Sequence, residues 1–183
     1  MTQRVRDIMS REPVVIHVDH SLAEAAKRMR EADIGALPVV DGDELVGVIT
    51  DRDLVVRAMA RRAVSVAARV SEAMTRHVVF CHEQASIGEA ASLMASERVR
   101  RLVVVDRDRE LVGIVSLADV ARVEDSSRYS AAAAVRGISK PTNTAKTPSK
   151  EDPTGGRARG SPAGTLHVYA RRPRIRRAGG TER

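Results

Sequence analysis

Aromatic side chains are almost absent: there is no Trp, and Phe, Tyr and Trp together make up 2% of the 183 residues. The core must therefore be built from Val, Ile, Leu, Ala and Met, and a ligand must be held without large stacking rings. That argues against single-stranded nucleic acid bound by aromatic stacking. The single cysteine, Cys81, cannot form an internal disulfide. No apolar run approaches the roughly 18 residues of a membrane-spanning helix, and Met1 leads straight into the polar run Thr2-Gln3-Arg4-Val5-Arg6. The expectation is a soluble, cytoplasmic protein with no membrane partner. Also missing are a Gly-rich phosphate loop with a lysine, a Ser-His-Asp order in a supporting context, and a carboxylate pair singled out by its surroundings. An enzyme is not expected; thiol chemistry at Cys81 ranks behind the other readings.

Charge is unevenly spread. The formal net charge is +7, yet residues 1–123 hold 18 Lys and Arg against 19 Asp and Glu, while residues 124–183 hold 13 against 5. The basic character belongs to the end of the chain.

What is present is a repeat. Gly47-Val48-Ile49-Thr50-Asp51-Arg52-Asp53-Leu54 returns as Gly113-Ile114-Val115-Ser116-Leu117-Ala118-Asp119-Val120. Val5 to Met9 matches Val70 to Met74 at an offset of 65, which grows by one at Arg109. One supersecondary unit is used twice. Each copy is marginal alone, so the two are expected to bury apolar surface against each other in one pseudo-symmetric domain.

In the first copy, Val5 to Met9 reads as a lead-in turn or helix and Pro13 to Val18 as a strand. Ser21 and Glu24 form a capping-box pattern ahead of a helix with Leu22, Ala25, Ala26 and Met29 on one stripe. Gly35 ends or loosens that helix. Leu37 to Val40, the turn Asp41-Gly42-Asp43, and Leu45 to Ile49 make an antiparallel hairpin. A second helix opens at Thr50 with Leu54, Val55, Ala58 and Met59 apolar, and Arg61-Arg62 near its end. The second copy repeats this with Val78 to Cys81, a helix capped by Ser86 and Glu89 that carries Ile87, Ala90, Ala91 and Met94, the hairpin Leu102 to Val105 with Leu111 to Val115, and a last helix opened by Ser116. The fold class is α/β (α+β): two β-α-β-β-α repeats, 5–62 and 70–123, packed pseudo-symmetrically. Residues 124–139 could add one helix, through Ala131 to Ile138, before Pro141. Residues 140–183 carry too few apolar groups to offset the entropy of ordering and read as a disordered basic tail. Its Arg171-Arg172-Pro173-Arg174-Ile175-Arg176-Arg177 cluster could bind nucleic acid or an acidic partner, but a solvated tail is the favoured reading.

Thr50 with Asp53 and Ser116 with Asp119 can be explained by helix capping alone. The same chemistry also suits a ligand: an aspartate in a first helical turn can accept both hydroxyls of a ribose, while a hydroxyl and free amides approach a phosphate. His77, Cys81 and His82 lie close in sequence, but on a strand Cys81 and His82 face opposite ways. A buried thiol flanked by surface imidazoles is expected there, and no metal.

The doublet resembles tandem cystathionine-β-synthase (CBS) domains, the Bateman module. The resemblance is carried by Ala36-Leu37-Pro38-Val39-Val40-Asp41, by Arg100-Arg101-Leu102-Val103-Val104-Val105-Asp106 and by the two Gly-apolar-apolar-Thr/Ser-x-x-Asp endings, and it covers roughly residues 5–123. Within the family, the first repeat is similar to small stand-alone bacterial modules of the hypoxic-response kind. Two departures stand out: Val103 replaces the first copy's Pro38, and Val78 its Pro13.

The resemblance implies two clefts between repeats, pairing of two modules into a disc-like homodimer, and an adenine ligand: AMP, ADP, ATP or S-adenosylmethionine. Position by position, it implies a stronger cleft with the ribose on Asp119 and Ser116, the phosphate on Arg100 and Arg101, and the base against Pro13, Val14 and Ile34. The weaker cleft would use Thr50 and Asp53 with Val78, Val79 and Val99, and Gly35 and Ala36 stand where the arginine pair would be. The implied function is a regulatory protein that senses the nucleotide and signals to an unnamed partner. The alternative is a dimerising scaffold whose tail binds nucleic acid or an acidic partner.

Overall fold

The computed structural model describes residues 3–59, 67–123 and 173–175. Local capping sets the helix starts. Ser21 Oγ accepts from the Glu24 amide at 3.1 Å to open α1 (Leu22–Glu31), and Ser86 Oγ accepts from the Glu89 amide at 3.2 Å to open α4 (Ile87–Glu97). Only the second cap is reciprocal, with Glu89 returning to the Ser86 amide at 2.7 Å. The capping box expected of Glu24 is not made: its carboxylate turns to Arg28 at 2.9 Å, and that hydrogen bond holds it below the ordinary carboxylate pKa.

On α1, Leu22, Ala25 and Met29 are buried, but Ala26 is exposed, so the stripe is narrower than expected. The helix ends at Glu31, and Asp33, not Gly35, takes the left-handed conformation (φ 51°). On α4 all four expected positions are buried, with Leu93 added.

The hairpins are β3 (Ala36–Asp41) with β4 (Glu44–Thr50), and β6 (Arg101–Val105) with β7 (Glu110–Ser116). The strands ahead of them are shorter than expected, β2 (Ile16–His17) and β5 (Phe80–His82), each parallel to the first strand of its hairpin. Pro13 and Val78 lie outside both. The helices after the hairpins are α2 (Asp51–Asp53), continued by a π-helical turn over Leu54–Met59, and α5 (Leu117–Arg122). Val55, expected on the apolar stripe, is 58% exposed and Val56 49%. The wider π turn shifts successive side chains off the 3.6-residue period. No helix among the described residues is long and apolar enough to cross a membrane.

The lead-in segments are exchanged between the repeats. A 3₁₀ turn at Val5–Asp7 donates from the Val5 and Arg6 amides to the Ala85 and Glu83 carbonyls, both at 2.9 Å, and Val5 and Met9 are buried in the second repeat's core with Ile87, Met94 and Leu102. Reciprocally, α3 (Val70–Ala73) bonds to His20 and Val18 and sinks Val70, Ala73 and Met74 into the first repeat's core with Ile16, Leu37 and Ile49. After each lead-in the chain crosses the other repeat's hairpin: β1 (Ser10–Arg11) pairs with Gly113 and Ile114 of β7, and Thr75 bridges to Val48 of β4. A third cluster, Val40 and Leu45 with Val103, Val105 and Leu111, joins the repeats.

Between β4 and β7 lies β8 (Arg174–Ile175), which completes a sheet in the order β2-β3-β4-β8-β7-β6-β5. The reading of 140–183 as disordered is corrected at Pro173–Ile175, because Ile175 finds an apolar slot and its neighbours find open backbone partners. The rest of that stretch, the proposed helix in 124–139 and Arg61-Arg62 lie outside the described residues.

The crossings explain the glycine that opens each repeated motif. A Cβ on Gly113 would stand 2.7 Å from both the Ser10 carbonyl and Met9 Sδ, and one on Gly47 2.9 Å from the Thr75 carbonyl and 2.7 Å from Met74 Sδ. Gly113→Ala is therefore expected to destabilise by about 1–3 kcal/mol through backbone displacement. Urea unfolding at equilibrium measures it, and an unchanged midpoint would mean that the crossing tolerates a side chain.

Candidate functional site

Arg28 reaches back from α1 to donate to the Val15 carbonyl at 2.8 Å and holds the segment before β2 in place. This segment, with the turn before β3, forms one wall of a cleft of about 360 Å³. Pro13, Val14, Ile34, Gly35 and Ala36 line that wall from the first repeat; Arg101, Ile114, Ser116 and Asp119 line the opposite side from the second. Six of the residues expected together, Asp119, Ser116, Arg101, Pro13, Val14 and Ile34, are thus brought to one place.

Arg100 is not among the lining residues. β6 begins at Arg101, in register with Ser116, whereas the exposed Arg100 precedes it and its carbonyl accepts from the Leu117 amide at 2.9 Å. The same role in the first repeat belongs to Gly35, whose carbonyl accepts from the Asp51 amide at 3.2 Å. Gly35 and Ala36, the positions that match the arginine pair and were expected on the Asp53 side, both line the Asp119 cleft instead. Of the expected two-arginine clamp, Arg101 alone lines the cleft. Arg101 Nη2 and Asp51 Oδ2 both stand 2.9 Å from where a Gly35 Cβ would be, so the glycine makes room for a guanidinium from the other repeat.

Both motif aspartates cap their helices, as the simpler reading held. Asp119 Oδ2 accepts from the Ser116 amide (2.8 Å) and Oγ (2.6 Å); Asp53 Oδ2 accepts from the Thr50 amide (3.0 Å) and Oγ1 (2.7 Å). Capping uses one carboxylate oxygen and leaves Oδ1. On Asp53, Oδ1 faces Arg57 Nε at 3.3 Å, and Arg57 is itself tied to the Ala73 and Met74 carbonyls at 2.9 and 3.0 Å. On Asp119, Oδ1 meets Arg122 Nη1 at 3.2 Å, from a side chain that is 79% exposed. A ligand hydroxyl can displace Arg122 at small cost, since an exposed ion pair contributes about 0–1 kcal/mol; displacing Arg57 would strand two carbonyls. Of the other residues expected at the Asp53 cleft, Val79 and Val99 pack against the second repeat's core and Val78 against the inter-repeat cluster.

The cleft also contains Ser10, Arg11, Glu12 and Asp33, which sequence reasoning missed. Glu12 and Asp33 have positive φ (49° and 51°), and no residue pattern marks those turns. The charged residues lining the cleft are Arg11 and Arg101 against Glu12, Asp33 and Asp119.

Cys81 is buried on β5. His82 Nδ1 accepts from the Gln84 amide at 3.0 Å, and His77 lies 3.9 Å from Glu97 at the surface. Among the described residues no group of three or more His, Cys, Asp or Glu side chains could hold a metal ion.

The CBS domain family model matches residues 5–60 and 70–126. Hypoxic response protein 1 of Mycobacterium tuberculosis is 40% identical over 118 residues, covering 64% of this chain and 82% of that protein. Among solved structures, the CBS domain pair of protein MJ0100 in complex with 5-methylthioadenosine and S-adenosyl-L-methionine superposes with a TM-score of 0.60 at 35% identity, covering 67% of this chain and 95% of that one. CBSX2 in complex with AMP superposes with a TM-score of 0.55 at 29% identity, covering 65% and 93%.

Burial pushes the Cys81 thiol up to about 12. Iodoacetamide at pH 8 should therefore leave the folded protein unmodified and alkylate it in urea, as mass spectrometry would show; rapid labelling of the folded chain would mean that β5 opens readily. In the unfolded chain the thiol ionises near its ordinary value of 9.0, so its contribution to stability is full below pH 9 and is lost as pH rises toward 12.

Proposed function

Because the chain belongs to the CBS domain family, we propose that it is a regulatory module that binds an adenosine-based ligand in the Asp119 cleft and passes the signal to a protein partner. The observation that carries this reading is a cleft lined from both repeats, with an aspartate whose second carboxylate oxygen is held, among the described residues, by an exposed arginine. The repeats approach one another through this cleft, so a ligand spanning it favours the arrangement it fits and shifts the population toward it. Ser116 and Asp119 would take the ribose and Arg101 a phosphate or carboxylate. Pro13, Val14 and Ile34 would flank the base. The MJ0100 and CBSX2 complexes support an adenosine core in the ligand.

Charge narrows the choice of ligand. Two arginines face three carboxylates in the cleft, and Asp51 stands just behind Gly35. Because the arginines are already outnumbered, each added phosphate raises the repulsion, which is greatest for a triphosphate, smaller for a single phosphate and absent for a sulfonium with its ammonium group. S-adenosylmethionine and AMP are therefore favoured over ADP and ATP.

Calorimetric titration of the full chain tests both points. AMP or S-adenosylmethionine should bind at least about tenfold more tightly than ATP, and Asp119→Ala should weaken the bound ligand by about tenfold or more, equivalent to about 1.4 kcal/mol. Asp53→Ala should leave affinity unchanged. Silence from all four ligands would overturn the sensor reading; loss in Asp53→Ala alone would move the site to the other cleft.

The reading includes a homodimer, supported by Val55 and Val56, which present apolar surface on the π turn. Replacing both with glutamate should reduce the mass to that of a monomer in sedimentation equilibrium. A mass unaffected by the change would remove this face from the interface.

A further inference from the structure

The exchanged lead-ins cover only part of the facing edges of β4 and β7. Thr75 satisfies β4 at Val48, and β1 satisfies β7 at Gly113 and Ile114. Nearer the hairpin tips, where β4 begins at Glu44 and β7 at Glu110, the backbone edges face each other across a gap one strand wide. β8 fills that gap. It runs antiparallel to β4 with Arg174 opposite Glu44, and parallel to β7 with Arg174 opposite Glu110 and Ile175 opposite Leu111. The Leu45 amide donates to the Pro173 carbonyl at 2.9 Å, the Arg174 amide to the Arg109 carbonyl at 3.0 Å, and the Ile175 amide to the Asp43 carbonyl at 2.9 Å.

The residues suit the slot. Pro173 is buried and has no amide hydrogen to leave unsatisfied. The register places Arg174 between two glutamates, the favourable cross-strand charge pairing. Ile175 packs on the cluster that joins the repeats, formed by Val40 and Leu45 from one and Val103, Val105 and Leu111 from the other.

We propose that this gap is a docking slot for one extended Pro-basic-aliphatic strand, occupied in cis by the chain's own Pro173-Arg174-Ile175, which clips the two repeats together. The clip bonds to both hairpins at once, as in strand addition to a sheet edge. Vacating the slot would expose an apolar, unpaired edge open to an equivalent strand from elsewhere.

Amide hydrogen exchange on the full-length protein is the test, read at Leu45, Arg174 and Ile175. In the Ile175→Asp chain, Leu45 should exchange roughly tenfold faster or more, whereas Ile175→Val should retain protection. A synthetic peptide covering residues 168–179 with the native sequence, added to the Ile175→Asp chain, should restore Leu45 protection; the same peptide carrying Asp for Ile175 should not. Unchanged Leu45 exchange in Ile175→Asp would overturn the clip, and a native peptide that fails to restore protection would overturn the docking slot. Leu45 protection that rises with protein concentration in a chain also carrying Val55→Glu and Val56→Glu would overturn occupation in cis.

Discussion

The exchange of lead-in segments is the constraint on which the rest of the structure depends. Val5 and Met9 complete the core of the repeat that follows them much later in the chain, and Val70, Ala73 and Met74 complete the core of the repeat that precedes them. Neither core is filled by its own repeat, so neither unit of fewer than about 60 residues has to stand on its limited burial. The exchange also builds the cleft. The chain that leaves the second repeat's core at Met9 crosses Gly113 and continues through Arg11 and Pro13 along the cleft wall. The twin glycines, Gly47 and Gly113, are where one backbone passes over another; the conformational freedom of glycine is not what those positions use.

Near-identical motifs then acquire different properties from what surrounds them. Asp53 and Asp119 cap their helices in the same way, yet Arg57 is fastened to the exchanged lead-in while Arg122 stands in solvent. Two aspartates with the same capping bonds differ in how firmly the second carboxylate oxygen is held. A duplicated fold can thus keep one copy as support and leave the other available, with no change in the motif itself.

Much of this was legible in the residues. The repeat announced two units, Ser21, Ser86, Thr50 and Ser116 marked four helix starts, and Asp41-Gly42-Asp43 marked a hairpin, because caps and tight turns are satisfied within a few residues of where they are written. Six residues of the candidate cleft could be grouped by resemblance for the same reason: each sits at a fixed place within its repeat. Where local rules had competitors, reading failed. Glu24 had the spacing of a capping box, but the guanidinium of Arg28 one turn on offered a charged partner. Val55 had helical spacing, but the π turn carried it outward.

The sequence by itself determined the fold class, the twofold plan and the strand-to-helix junctions, since these rest on periodicity, capping and turns that act over a handful of residues. Only the tertiary structure decided which repeat each lead-in completes, that Arg101 enters the Asp119 cleft while Arg100 does not, and that Pro173–Ile175 closes the sheet between β4 and β7. Those outcomes depend on which backbone edges and apolar gaps remain open after both repeats have formed. A segment such as Pro173-Arg174-Ile175, too short to carry any period, takes its conformation from the gap it enters.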